Sequence, residues 1–191
     1  MDLREKKTIR SIKNAFLEIR SRTPLERITV KELCERADIS KATFYLHYRD
    51  IYDLSDILQM EIIKSIIDSI QNVEDMIYDP CKVSRETVDA FFANRSMINI
   101  LFSGSQFARL PEQLESEIKS TLFEKYPDLK DDVYVNVRIT YQLMGSFYSY
   151  YKYENIFGFD KVRTSVNDIT RLFEKAIRHD KSMPYSQSIE E

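Results

Sequence analysis

Residues 28–50, ITVKELCERADISKATFYLHYRD, leave the chain little choice but two short amphipathic helices joined across a tight turn. Thr29 stands where it can cap the first of them, and Glu32 follows three residues later, the spacing of a capping box. Val30, Leu33, Cys34 and Ala37 recur at helical steps and form a face to be buried. Asp38 takes the turn, because a short polar side chain tolerates left-handed backbone better than most. Ser40 can cap the second helix. On a wheel of about 100° per residue, Phe44 and Tyr48 fall together and point to a core, whereas Ala42, Thr43, Tyr45, Leu46 and His47 occupy the opposite arc.

Charge singles out the same end of the chain. The net charge of -3 conceals an asymmetry: residues 1–49 carry 12 Lys+Arg against 7 Asp+Glu, an excess of five positive charges, and residues 50–191 carry 16 against 24, an excess of eight negative charges. A basic head on an acidic body fits a molecule whose head alone meets a polyanion. No run of about 18 apolar residues occurs, so a membrane span is not expected, and MDLREKKTIR lacks the apolar core of a signal peptide. Cys34 and Cys81 lie far apart without ligand spacing, which argues against a disulfide framework or a zinc site and fits a reducing cytoplasm.

Helical spacing recurs along the whole chain and strand alternation does not, so the fold class is all-α. A first helix over about residues 4–21 carries the stripe Ile9, Ile12, Phe16 and Ile19, with Arg4, Lys6, Lys7, Arg10 and Lys13 around its start. Asp50 and Asp53 open a long fourth helix with Ile51, Leu54, Ile57 and Leu58 on its apolar side, running to about residue 72. After a break at Tyr78-Asp79-Pro80, further helices are expected at about 84–94, 96–103, 111–125, 130–153 and 160–179, followed by a flexible polar tail over 181–191.

The outward arc has the chemistry that duplex DNA requires. Ser40 and Lys41 stand at a helix start, where unsatisfied N–H groups favour a phosphate. Thr43 and His47, four residues apart, share a ridge that can face base edges, the Tyr45 hydroxyl suits a phosphate, and Ala42 and Leu46 can meet thymine methyl groups. Taken singly, such a Tyr, His or Lys is more often an ordinary surface or partly buried residue. Cap, turn, wheel and basic neighbours within 23 residues shift the balance.

Residues 28–50 resemble the helix-turn-helix of TetR-family transcriptional regulators. Ile28, Thr29, Val30, Leu33, Ala37, Ile39, Ser40, Thr43, Tyr45 and Tyr48 meet that family's pattern of Ile-Thr-Val, Leu, Ala, Val-Ser, Thr, Tyr and Phe at matching spacing. The likeness extends over about 60 residues; the rest matches only in length and helical pattern. It implies a three-helix DNA-binding head (1–50, motif 29–48) on a helical ligand-binding and dimerising body (51–180). It also implies a homodimer that represses from a double-stranded operator until a small-molecule effector releases it, with no cofactor. An activator or co-regulator working through a protein partner is the alternative. The resemblance puts Thr29, Ser40, Lys41, Thr43, Tyr45, Leu46, His47 and Tyr48 at or near DNA, whereas the wheel places Tyr48 in the core. Two departures stand out: Asp38 replaces a frequent Gly in the turn, and Ile51 replaces a Lys that grips phosphate in many members of that family, which implies either that Arg49 substitutes or that affinity is lower.

The body offers aromatics on nearly every side of one helix, nine between residues 134 and 159. Tyr148 and Tyr151, with the seam Val162, Val166, Ile169 and Phe173, suit a four-helix interface between two copies; a seam within one chain is the plain alternative. Phe91, Arg95, Phe102, Phe107, Phe123, Tyr141 and Met144 are candidates to line an effector pocket, Arg95 as the anchor for an anion, although aromatic residues at helical spacing are more often core. An enzyme is disfavoured: there are 2 histidines, no metal-ligand motif, no glycine-rich phosphate loop and no nucleophile with a base, so no catalytic or metal-binding residue is expected. A purely structural adaptor would leave the outward arc without a task.

Overall fold

All regular elements of the computed structural model, which describes residues 2–179, are helical, and among those residues there is no strand. The order is α1 (Leu3–Arg20), α2 (Val30–Ala37), α3 (Lys41–Tyr45), α4 (Ile51–Ile67), α5 (Asp75–Tyr78), α6 (Pro80–Ala93), α7 (Arg95–Leu101), α8 (Arg109–Lys125), α9 (Val133–Phe157) and α10 (Phe159–His179), with short 3₁₀ turns at Leu25–Arg27, Gly104–Gln106 and Pro127–Leu129. The tail expected over 181–191 lies outside the described residues. None of the described helices is long and apolar enough to cross a membrane.

The chain divides into two compact units, and not at residue 50. Among the described residues, the first contains those up to Lys64 together with Asn94–Leu110; the second contains Ser65–Ala93 and those from Pro111 to His179. In the first unit α1 packs on α2 and on α7. Ile12, Phe16, Leu33, Phe44, Leu54 and Leu101 form its most deeply buried apolar positions. Polar ties hold the returning segment to the head. Arg20, buried at the end of α1, donates to the carbonyls of Thr23 (3.2 Å) and Ser103 (2.8 Å). Gln59, also buried, donates to the Leu101 carbonyl at 3.1 Å, and the Arg109 guanidinium reaches Asp56 at 2.7 Å. Burial pushes the Arg20 pKa down; its two terminal nitrogens are bonded to carbonyls, whereas its Nε and the Gln59 side-chain oxygen find no hydrogen-bond partner among the described residues. On α4 the expected apolar side is corrected at Ile57, which is exposed, whereas Ser55 and Gln59 turn inward.

In the second unit α10 packs along α9 and against α6, and α5 packs on α6. Tyr150, Val162 and Val166 form a core cluster with Val88, Phe92 and Phe159 against it. Burial pushes the Tyr150 phenol up to about 12. Arg138, a buried residue that the helical pattern gave no reason to single out, donates to the Met76 (2.7 Å) and Ile77 (3.2 Å) carbonyls at the end of α5. A cation suits the carbonyl end of a helix.

Element boundaries differ from expectation where local chemistry overrides the apolar pattern. The Tyr78-Asp79-Pro80 break is instead the start of α6: Pro80 is its first residue, where the missing N–H costs nothing, and the Asp79 carboxylate accepts from the Lys82 N–H at 2.9 Å. α4 closes at Ile67 rather than near residue 72, with the Ser69 and Ile70 N–H groups bonding back three residues in a tightened last turn. α9 runs to Phe157 and stops at Gly158, whose φ of 86° and ψ of 150° lie where residues with a side chain are strained. A Cβ there would meet nothing within 4 Å, so the cost of substitution is backbone strain alone. Gly158→Ala is expected to destabilise the chain by about 1–3 kcal/mol, read as a lower denaturation midpoint with unchanged helix content.

Candidate nucleic-acid interface

The turn between α2 and α3 is fixed by side chains at both of its edges. Thr29 accepts the Glu32 N–H at 3.2 Å and starts α2. Asp38 ends it in the left-handed region (φ 55°, ψ 50°), and the Ile39 N–H bonds to the Cys34 carbonyl at 3.1 Å. From α1, the Ser11 hydroxyl donates to the Ala37 carbonyl at 2.8 Å, which satisfies an orphan acceptor at the end of α2. Ser40 then accepts the Thr43 N–H at 3.0 Å, and its hydroxyl shares a 2.9 Å hydrogen bond with that of Thr43. The α-helix proper covers only Lys41–Tyr45, but the Leu46 and Tyr48 N–H groups continue the bonding to the Ala42 and Phe44 carbonyls.

Phe44, fully buried, and Tyr48, 6% exposed, anchor this segment, their ring centroids 5.7 Å apart. Tyr48 is therefore corrected from DNA contact to core, as the wheel requires and the resemblance does not; burial raises its pKa. The other face is open. Lys41 and Ala42 are exposed, Tyr45 is 57% and Leu46 81% exposed, and Thr43 and His47 are half-buried. A groove of ≈ 520 Å³ runs beside the turn, lined by Lys31, Cys34, Glu35, Asp38, Ile39, Ser40 and Lys41.

Arg49 is exposed but engaged. Its guanidinium reaches one Asp53 oxygen at 2.8 and 3.1 Å, and its backbone N–H donates to the other at 2.9 Å. Asp50, in turn, accepts the Asp53 N–H at 2.8 Å and opens α4. Ile51, next along the chain, is buried and faces the core. The Arg49 backbone N–H, and then its guanidinium, hold the Asp53 carboxyl below its ordinary value of 3.8. A lowered folded pKa means that this tie contributes fully above the ordinary carboxylate pKa and is lost as pH falls through the folded value. Acid titration of thermal stability is therefore expected to be flat near neutrality and to fall below about pH 4, with a shallower fall in Asp53→Asn.

Cations suited to phosphate lie elsewhere in the first unit. Lys13 pairs with Glu61 and Arg36 with Glu18. Among the described residues, Arg4, Lys6, Lys7, Arg10 and Lys41 make no ion pair and are exposed. The placement of the first four at the start of α1 was legible as a charge cluster, and that of Lys41 as the first residue after the Ser40 cap. The Arg49–Asp53 tie was legible only as an i, i+4 spacing of opposite charges.

The body candidates are divided between the two units. Arg95, Phe102 and Phe107 belong to the first unit, whereas Phe91, Phe123, Tyr141 and Met144 belong to the second. Phe102 is packed in the core and Tyr141 is exposed, so those two are corrected from pocket lining to core and surface. Phe91 stacks edge-on with Phe92 and Phe147. Of the interface candidates, Val162 and Val166 are corrected to the core of their own chain, because Tyr150 and Phe92 cover them. Tyr148, Tyr151, Ile169 and Phe173 remain exposed, joined by Val133, Val137 and Leu172. Tyr141 meets Phe173 edge-on at 5.5 Å, which brings the exposed apolar surfaces of α9 and α10 together. Among the described residues no group of three or more His, Cys, Asp or Glu is placed to hold a metal ion. No protein-family model, curated protein or solved structure matches this chain.

Proposed function

We propose that the chain is a dimeric, sequence-specific, DNA-binding transcriptional regulator of the TetR type, acting in the cytoplasm as a repressor that a small-molecule effector releases. The observation that carries this reading is the open face of α3: an anchored, capped segment with Lys41, Ala42, Thr43, Tyr45, Leu46 and His47 turned away from the core. Unpaired, exposed cations at the start of α1 supply phosphate contacts that fix register without reading sequence. The turn geometry gives support of a second kind. Side-chain caps hold α2 and α3 rigidly enough to present a reading edge.

Dimerisation is supported by the exposed apolar stripe. Val133, Val137, Tyr141, Tyr148 and Tyr151 repeat along α9 at steps of a single helical face, and Ile169, Leu172 and Phe173 project from α10. Exposed apolar surface of this continuity marks an interaction site, and a two-fold partner presenting the same stripe would cover it. Two heads then meet half-sites about 34–36 Å apart. An effector that prefers one spacing of the heads shifts the population toward release. The co-regulator alternative draws support from Ile51 and Arg49, since one is buried and the other is engaged by Asp53, which weakens two phosphate grips.

Footprinting on the DNA upstream of the chain's own coding sequence, paired with sedimentation, tests the proposal. The wild-type chain is expected to sediment as a dimer and protect two half-sites one turn apart. A Tyr151→Arg, Leu172→Arg chain is expected to sediment as a monomer and lose that protection at equal concentration. A folded wild-type chain that is monomeric and protects no site would overturn the reading.

A further inference from the structure

The joint between α3 and α4 carries a cation that faces solvent yet is not free for a polyanion. The Arg49 side chain is 87% exposed, whereas that of Asp53, one turn further on, is 16% exposed. One Asp53 oxygen accepts the Arg49 backbone N–H at 2.9 Å. The other accepts from the guanidinium Nε at 3.1 Å and from a terminal nitrogen at 2.8 Å. Those two nitrogens form one edge of the guanidinium fork, an edge that suits carboxylate and phosphate alike. We infer that Asp53 is an autoinhibitory stand-in for a DNA phosphate. It occupies the Arg49 edge that would otherwise grip the duplex backbone, and so limits how tightly the head holds DNA of any sequence. The inference rests on the DNA-binding reading above.

No second cation at this joint takes the place of Arg49. Between Arg49 and Lys64 the sequence has no other Lys or Arg, whereas Asp50, Asp53, Asp56 and Glu61 fall within it. A helix start attracts phosphate through its unbonded N–H groups, but Asp50 takes the Asp53 N–H at 2.8 Å. The tie is also built for exchange. Exposed ion pairs are weak enough for another anion to displace, and the oxygen of Asp53 that holds the backbone N–H keeps the carboxylate in place when the guanidinium leaves. A phosphate must displace that anchored anion before it meets Arg49, which subtracts from its binding. Phosphate contacts position a protein without reading sequence, so the same factor falls on every duplex.

The test uses the full-length chain, a duplex enriched by in vitro selection from a random library, and a scrambled duplex. Asp53→Asn keeps an oxygen for the backbone N–H and removes the charge. It is expected to bind each duplex about threefold tighter per head, about tenfold for the two heads of a dimer. The slope of log affinity against log salt should steepen by about two, one added phosphate per head. Arg49→Ala alone should stay within about twofold of wild type, and Asp53→Asn added to Arg49→Ala should bring no gain. Circular dichroism checks that the start of α4 is intact; Asp53→Ser gives the same comparison should the amide disturb it. Wild-type affinity in a folded Asp53 variant, a gain confined to one duplex, or a gain that survives in Arg49→Ala would overturn the inference while leaving DNA binding in place. Failure of the folded wild-type chain to enrich any sequence would overturn the DNA reading itself, and this inference with it.

Discussion

Phe44→Ala is expected to cost about 3–5 kcal/mol, the penalty for deleting a large aromatic side chain from a closed core. Phe44 has no exposed surface, and its ring lies against those of Tyr45 and Tyr48. α3 has only five residues and too little hydrogen bonding to persist alone. Its position depends on that ring, on Tyr48 beside it and on the caps at Ser40 and Asp38. Chemical denaturation followed by far-ultraviolet dichroism should show the loss, and any specific DNA affinity should disappear with it. A change below about 1 kcal/mol would mean that the segment is held by something other than its buried face.

The second large effect separates recognition from folding. Tyr45→Ala combined with His47→Ala removes two side chains from the open face and none from the deep core. Base and sugar contacts contribute about 1–3 kcal/mol each, so specific affinity should fall about a hundredfold or more. Oligomeric state and denaturation midpoint should stay close to wild type. Salt-sensitive binding to random duplex should survive, because the exposed cations of α1 are untouched. Unchanged specific binding in the double variant would move the reading edge to another element.

Local signals carried the head. Thr29 and Ser40 act as caps, Asp38 takes the left-handed turn, and Phe44 with Tyr48 faces inward because a short helix with one apolar side has one way to bury it. The body was less legible, for reasons that particular residues display. Pro80 serves equally as a helix breaker and a first helical residue, and only the Asp79 cap decides between them. The Val162, Val166, Ile169 and Phe173 seam is a true apolar stripe, but periodicity does not say which neighbour covers it; its first half is closed by α9 and α6, and its second half is open. The return of residues 94–110 to the first unit is held by ties such as Arg20 reaching Ser103 across 83 positions and Gln59 reaching Leu101, pairings without a local signature. Buried polar residues such as Gln59 and Arg138 are likewise invisible to a pattern built on apolar spacing.

The most direct test of the central claim, that the open face of α3 grips a duplex, is the salt dependence of affinity for a selected site and for a scrambled one. With six or more phosphates neutralised by the two heads, affinity should fall about 10³-fold between about 50 and 200 mM salt. The selected duplex should bind at least about 10³ more tightly than the scrambled one at a fixed salt concentration. A folded chain whose affinity is flat with salt and equal for the two duplexes would contradict the account.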